Sequence, residues 1–470
     1  IGGHGNGEMP FPHELGLLLG YPAEDVRGFM GIGYKKCLYT GYWKVYEKPE
    51  EKIALFSEYD RAMDLALSMA YERQNILKLK EVFERVKVTM LDRGTLKRVI
   101  GEETAVSDAM RESIERWGAM YASPFGLHLP SAVASEYARM ITVEMKSEIS
   151  GSRRAEYLNG VYKDLIENIR IPVEYGCAQG GLIFKPYVED GTIKIDTVQA
   201  GGFYPTEFDS AGRITGAIFV QKAVRGRTYL TRLEHHRLIG KNYTIINKAF
   251  RSFSEATLGQ EISLDESEVW SGMTESLTIG NVKKPLFGYF RPAAANTVDP
   301  SSPLGASVFA GAENLMEDAD KQYERYLWEF ESGERAIIAN SMAFRLGEDG
   351  KPKLPDRRLY RTMDVESMDF FREWSPELRE DALANGMDRI FRQVEFCCGL
   401  AYGTLSDVTD SDKTAEEIRA SKQRSYTSVR DNQKSLKNAL TDTVYAMDVW
   451  CTLYNLAPMG SYNITFDFDD

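Results

Sequence analysis

Few residues in this chain have the types and spacing that chemistry requires. His13-Glu14 opens the H-E-x-x-H pattern of a zinc protease helix, but Leu17 stands where the second histidine would complete the metal pair, so His13 reads as structural. His235 and His236 are the one adjacent pair among five histidines. On a strand they face opposite sides and cannot share an ion without a bulge. The five cysteines, at 37, 177, 397, 398 and 451, show no ligand spacing and read as buried, reduced thiols. The glycine run IGGHGNGE lacks the Lys-Ser/Thr of a phosphate loop, and there is no G-x-S-x-G, no nucleotide-binding glycine loop and no Cys-x-x-Cys. These gaps point away from an enzyme and from a bound metal or cofactor. What remains is electrostatic. From Lys413 to Lys437 seven Lys/Arg accompany three acids, in a chain of net charge −13. Lys413, Arg419 and Lys422 open that segment, and a basic stretch inside an acidic chain suits contact with a polyanion.

The element that must carry these bases is a long helix. From Thr404 through Ala457 there is neither glycine nor proline, and Thr414 with Glu417 supplies a capping box, so a helix is expected from about Thr414 to Ala457. Its length would be roughly 65 Å at 1.5 Å per residue. Ile418, Val429, Leu436, Leu440, Val444, Met447, Cys451 and Tyr454 hold one face, interrupted by Lys422, Ser425 and Gln433. Just before it, Gly399 and Gly403 with Ser406, Asp407, Thr409, Asp410 and Ser411 predict a loop.

Upstream, helices are expected over 107–121, capped by Ser107, and over 131–149 and 153–171. The period then changes to two. Short strands over 182–184, 193–195, 214–220, 228–233 and 243–246 are parted by Asp-Gly, Ala-Gly, Arg-Gly and Gly-Lys turns. Helices followed by a meander make the fold class α+β. A second long helix is expected from Pro303 to Gly333, with eight acids against two bases between Glu313 and Glu334, and a third from the Ser375-Pro376 boundary to about Cys398. Tyr462 to Asp469 alternates like a half-buried strand, with no partner strand apparent nearby. At 470 residues the chain has room for two or more domains, its 43% hydrophobic content is that of a folded protein, and no apolar run is long enough to span a bilayer. The first residue is Ile1 rather than Met, which suggests a processed, trimmed or incomplete reading frame.

The run KTAEEIRASKQRSYTSVRDNQKSLKNAL, preceded by CCGLAYGTLSD and followed by VYAMDVWCTLY, resembles the portal protein of tailed bacteriophages, in the branch from phages of Gram-positive bacteria. LPSAVASEYARMITVEMKSEISGSRRAEYLN, CAQGGLIFKPYV, FYPTEFDSAGRITGAIFV and PLGASVFAGAENLMEDADKQYERYLWEFESGE match in the same order, so the resemblance covers about Met90 to Asp470. It implies a wing at 90–302, a stem helix at 303–334, a clip at 335–374, a second stem helix at 375–399, a tunnel loop at 400–413, the long helix at 414–457 and a terminal strand at 458–470 leading to an absent crown. It also implies a homo-oligomeric ring of about twelve subunits at one capsid vertex, closed by symmetry. Double-stranded DNA would pass through it during packaging and ejection. The terminase large subunit, the major capsid protein, scaffold and head-completion proteins would be its partners. Such a subunit belongs to the virion, is made in the host cytoplasm, contacts no membrane, and needs no active site because the motor chemistry lies in the terminase. Lys413, Arg419 and Lys422 are then candidates for the DNA channel. Residues 1–75 stand apart, joined by a helical connector at 76–89. Their PFPHELGLLLGYPAEDVRGFM resembles the C-terminal end of a small uncharacterised bacterial family from which no activity carries over. Two other readings stay open: an enzyme with its site in the N-terminal module, and a monomeric nucleic-acid-binding module, the latter disfavoured by the net charge.

Overall fold

A computed structural model describes residues 25–27, 38–40, 44–48, 52, 90–91, 93–101, 103–124, 126–226, 228–253, 257–267, 269–340, 344, 359–363, 371–407 and 415–468. The chain divides into two compact units, Ile1–Val88 and Thr89–Asp470. In the first, β1 (Tyr39–Thr40) and β2 (Lys44–Val45) form a small antiparallel pair. The buried Asp25 carboxylate accepts the Tyr46 amide at 2.7 Å, so it anchors the exit of that hairpin. His13, Glu14, Cys37 and the connector at 76–89 lie outside the described residues.

The second unit is mixed α and β. It opens with α1 (Arg93–Ile100), α2 (Asp108–Tyr121) and α3 (Leu129–Thr142). Ser107 caps α2 as its sequence predicts, its hydroxyl accepting the Met110 amide at 3.3 Å. The helix expected over 131–149 stops at Thr142, and β3 (Met145–Ser150) follows. The reason is at the far end of the chain, where a partner strand waits. The helix expected over 153–171 divides into α4 (Arg153–Glu167) and α5 (Arg170–Gln179), with the break at Asn168–Ile169.

The meander is longer than its turn signals alone suggest. β4 (Leu182–Glu189) and β5 (Thr192–Gln199) form a hairpin, and β6 (Phe203–Phe208), β7 (Ile214–Arg225), β8 (Thr228–Ile239) and β9 (Asn242–Ser252) follow as antiparallel neighbours. β10 (Gln260–Ile262) and β11 (Ser276–Ile279) both pair with the free edge of β9, and β12 (Gly288–Phe290) pairs with β4.

The next helix, α6 (Glu313–Ser332), begins ten residues later than expected from Pro303. Residues 303–312 form turns, in which the Ser307 hydroxyl accepts the Phe309 amide and competes with helix formation. Three strands follow: β13 (Ala336–Asn340) lies between β14 (Tyr360–Met363), parallel to it, and β15 (Phe371–Trp374), antiparallel. α7 (Glu380–Cys398) then begins four residues beyond Pro376. The long helix is α8 (Ala415–Leu453), 39 residues. It ends before Ala457 because Asn455 takes the left-handed conformation (φ 51°) and closes a Schellman motif, with Leu456 N–H to Cys451 O at 3.0 Å and Asn455 N–H to Thr452 O at 3.4 Å. Finally β16 (Asn463–Phe468) pairs antiparallel with β3 from Asn463↔Ser150 to Phe468↔Met145. The terminal strand therefore has a partner, contrary to the sequence expectation.

A main core joins the helices, the meander and α8, and a second small cluster gathers Leu230, Ala249, Ile262, Leu264 and Trp270 at the end of the large sheet. Trp117, Tyr162, Phe184, Tyr243, Phe290 and Met447 are among the fully buried side chains of the main core. The C-terminal half of α8 runs across β12 and β4, and Leu436, Leu440, Val444 and Met447 are completely covered. The approach is close enough to dictate a residue type. A Cβ on Gly288 would overlap the Ala439 carbonyl oxygen and Thr443 Oγ1, so only glycine lets the helix lie directly on β12.

Candidate functional site

Of the three bases singled out in the sequence, Lys413 lies outside the described residues, as do the side chains of Arg419 and Lys422, whose backbones lie on the first turns of α8. The loop before them is described as far as Asp407. Gly399 (φ 72°) ends α7 in the left-handed conformation, with Leu400 N–H to Glu395 O at 2.9 Å, and Gly403 (φ 89°) turns the chain again. Glu395, fully buried near the end of α7, holds this turn. Its carboxylate accepts the amides of Gly403 (3.1 Å), Leu405 (2.6 Å) and Ser406 (2.9 Å) and the Ser406 hydroxyl (2.8 Å). Asp388 accepts the Asp407 amide at 2.8 Å, and the Tyr137 hydroxyl donates to the Cys398 carbonyl. Two carboxylates of α7 thus fold the following chain back against their own helix, which fixes the exit from α7.

α6 and α7 form a hairpin, and a buried glutamate holds each end of α6, the first against α2 and the second against the start of α7. At one end Glu313 accepts the Trp117 indole N–H at 2.6 Å and pairs with Arg116. At the other, Glu329 accepts the Arg379 amide (2.9 Å), its Nε (3.1 Å) and a terminal guanidinium N–H (2.6 Å). Those hydrogen bonds, from the guanidinium first and then the amide, push the Glu329 carboxyl down to about 2. Met316 and Ala319 in the first half of α6 join the main core, and beyond them the two helices pack chiefly on each other. Leu327 and Trp328 are 46% and 64% exposed.

A buried polar network lies under the large sheet. Arg232, Glu234 and His236 alternate on one face of β8, and Lys185 reaches them from β4. Glu234 meets Lys185 Nζ at 2.6 Å, Arg232 at 3.0 Å and His236 Nε2 at 2.6 Å, while His236 Nδ1 meets the Tyr243 hydroxyl at 2.7 Å. Burial alone would raise the Glu234 carboxyl, but Lys185, His236 and Arg232 together outweigh it and hold it well below the usual range. Burial keeps His236 below its own usual value. Every ring nitrogen of His236 is engaged and Phe219 and Phe287 flank it edge-on, so this is a sealed structural network. His235 stands at the next position of β8, on its other face. Among the described residues no group of three His, Cys, Asp or Glu side chains could hold a metal ion. Cys177, Cys398 and Cys451 are buried as expected, and burial pushes the Cys398 thiol up to about 12. Cys397 is exposed, against expectation: it follows the outward face of α7 while Cys398 turns inward.

A groove of about 740 Å³ lies between the end of α3, the basic stretch of α8, and β16. Arg139, Met140 and Val143 line one wall, Tyr426, Arg430, Lys434 and Lys437 the floor, and Phe466 and Phe468 the other wall. The floor bases belong to the basic segment counted in the sequence, but its partners lie roughly 290 residues upstream on α3 and beyond the Schellman turn on β16. Local patterning therefore marks the charge and misses the groove. No helix among the described residues is long and apolar enough to cross a membrane.

Residues 4–80 match a family described as a protein of unknown function (DUF3793), so the N-terminal unit is similar to proteins without an assigned activity. No curated protein matches the chain.

Proposed function

We propose that the chain is the subunit of a ring-shaped conduit for double-stranded DNA, a phage portal, whose residues 90–470 supply the ring. The observation that carries this reading is the α6/α7 hairpin. It projects two amphipathic helices that cover each other along one side and leave Leu327 and Trp328 open to solvent. Apolar surface of that kind on a projecting element calls for a neighbour, and identical neighbours related by rotation close into a ring. On this reading α6 and α7 are the stem and the β14-β13-β15 sheet belongs to the clip. The meander belongs to the wing, the turn after α7 leads into a tunnel loop, and the virion vertex is the site of action. The ordered sequence blocks support the same assignment. A conduit must guide a polyanion without trapping it, and the acid-rich α6 beside a limited basic stretch of α8 serves transit better than tight binding. The terminase motor, capsid and head-completion proteins would dock on this ring, and no chemistry would be required of the chain itself.

Mass photometry of the full chain at micromolar concentration and moderate salt tests the proposal. A closed ring of about twelve copies is the expected result, and a population of monomers alone would overturn it.

A further inference from the structure

We infer that the groove between α3, α8 and β16 is a contact site for the phosphate backbone of duplex DNA, gripped by Arg430, Lys434 and Lys437. This deepens the conduit reading and rests on it for the natural ligand, but the chemistry stands on the groove itself. The three bases sit in helical register on one exposed face of α8, spanning about 10 Å of axis, or roughly three phosphate steps of one DNA strand. Arg419 and Lys422, the channel candidates, lie further toward the start of the same helix.

Among the described residues these three bases have no carboxylate partner within ion-pair distance, as is true of scattered exposed bases such as Lys222 and Lys241; what distinguishes them is that they gather in one groove. Elsewhere in this unit buried and half-buried bases are matched: Arg154 with Asp448, Lys185 with Glu234, Lys284 with Asp442, Arg392 with Asp388. In the groove, Arg139 is likewise matched by Glu136. Arg430 and Lys437 instead lie over aromatic rings, Arg430 5.6 Å from the centre of Tyr426 and Lys437 5.5 Å from that of Phe466. A ring face orients a cation without cancelling its charge. The cations are thus positioned and still available to an external anion, in a protein whose net charge of −13 makes such availability costly to maintain by accident. Glu144 and Asp467 also line the groove and oppose a phosphate chain. The grip they leave is weak and sensitive to salt, which suits a polymer that must move on.

The test measures fluorescence anisotropy of a labelled duplex of mixed sequence, titrated with full-length protein between about 50 and 200 mM salt. Arg430→Gln/Lys434→Gln/Lys437→Gln is compared with Lys163→Gln/Lys222→Gln/Lys241→Gln, which removes the same charge from exposed sites away from the groove. The groove variant is expected to bind about tenfold or more weakly at low salt, with a log–log salt slope shallower by roughly 2 to 3, while the control changes little. Equal losses in both variants, or none in the groove variant, would overturn the inference. So would displacement of the duplex from the parent by poly-glutamate at equal charge concentration, which would assign the groove to an acidic protein segment. Should the triple variant unfold, Lys434→Gln alone is expected to lower the slope by about 1, and no change in it would have the same negative meaning. Mass photometry on the same samples separates the two proposals. Rings whose DNA binding ignores the groove sink this inference alone, whereas groove-dependent binding by monomers upholds it and sinks the conduit.

Discussion

The C-terminal half of α8 and the α6/α7 hairpin are both amphipathic helical structure, yet their apolar faces have opposite fates. Along α8, Leu436, Leu440, Val444, Met447 and Cys451 are wholly covered by β4, β12 and their neighbours, and each large side chain so buried contributes on the order of 1.5–3 kcal/mol. Along α6, only Met316 and Ala319 among the apolar residues are buried, both in its first half, and the second half ends in exposed Leu327 and Trp328. The first region is finished within one chain. The second has both ends of α6 held, by Glu313 against α2 and by Glu329 against the start of α7, but its face left open, as an element does whose packing is completed by another molecule. Stability and assembly should therefore respond to different residues.

The largest effect is expected at the finished end. Arg154, 1% exposed at the start of α4, donates to Pro458 O (3.0 Å), Ala457 O (3.0 Å), Asp448 O (3.2 Å), Asp448 Oδ1 (3.1 Å) and Thr452 Oγ1 (3.0 Å). It gathers the carbonyls around the end of α8, which is where a cation meets the negative end of the helix dipole. Arg154→Met removes those donors and leaves several half-covered acceptors without them. Because Asp448 retains some solvent contact, the loss should fall at the lower end for a broken buried pair, about 3 kcal/mol in denaturant unfolding. A change below about 0.5 kcal/mol would show that α8 is held by its apolar face alone.

At the open region the expectation reverses. Leu327→Asn/Trp328→Ser should leave the unfolding free energy of the subunit within about 0.5 kcal/mol, since neither side chain is buried in it. The same variant should lose assembly at concentrations where the parent forms rings, because a central tryptophan in an interface commonly contributes 2 kcal/mol or more. Sedimentation velocity beside chemical unfolding reads both quantities. A variant that unfolds more easily yet assembles normally would mean that the hairpin face serves the subunit and not its neighbours.

Sequence patterning marks the features that local rules control. Ser107 before α2, the glycine at the end of α7 and the uninterrupted run that becomes α8 are each decided by a few adjacent residues. Boundaries failed where a distant partner competes with local preference. Residues 145–149 continue a helical pattern but form β3 because β16, some 300 residues away, supplies the ladder. The residues before Glu313 have a helical stripe but also hydroxyls that satisfy the backbone another way. The exits of α7 and α8 illustrate the same division: Gly399 could be anticipated from its freedom at positive φ, whereas the four donors converging on Glu395 could not. The groove bases fall between these cases, visible as charge along α8 and invisible as a site until α3 and β16 stand beside it.

The smallest effect sharpens the comparison at the hairpin's own lock. Glu329 has a folded-state carboxyl near 2, below its unfolded value of 4.5, because Arg379 donates to it through guanidinium and amide. A depressed carboxyl stabilises the fold fully above the unfolded value, and that contribution fades as pH falls from about 4.5 towards 2. The Arg379 side chain is largely exposed, so salt should weaken the effect further. Glu329→Gln keeps the shape of the side chain and removes the titration. The parent should therefore lose stability relative to the variant across that interval, more steeply at low salt, and the two curves should run parallel above it. If they run parallel throughout, the ion pair does not tie α6 to the start of α7, and the hairpin is held by the packing of its two helices alone.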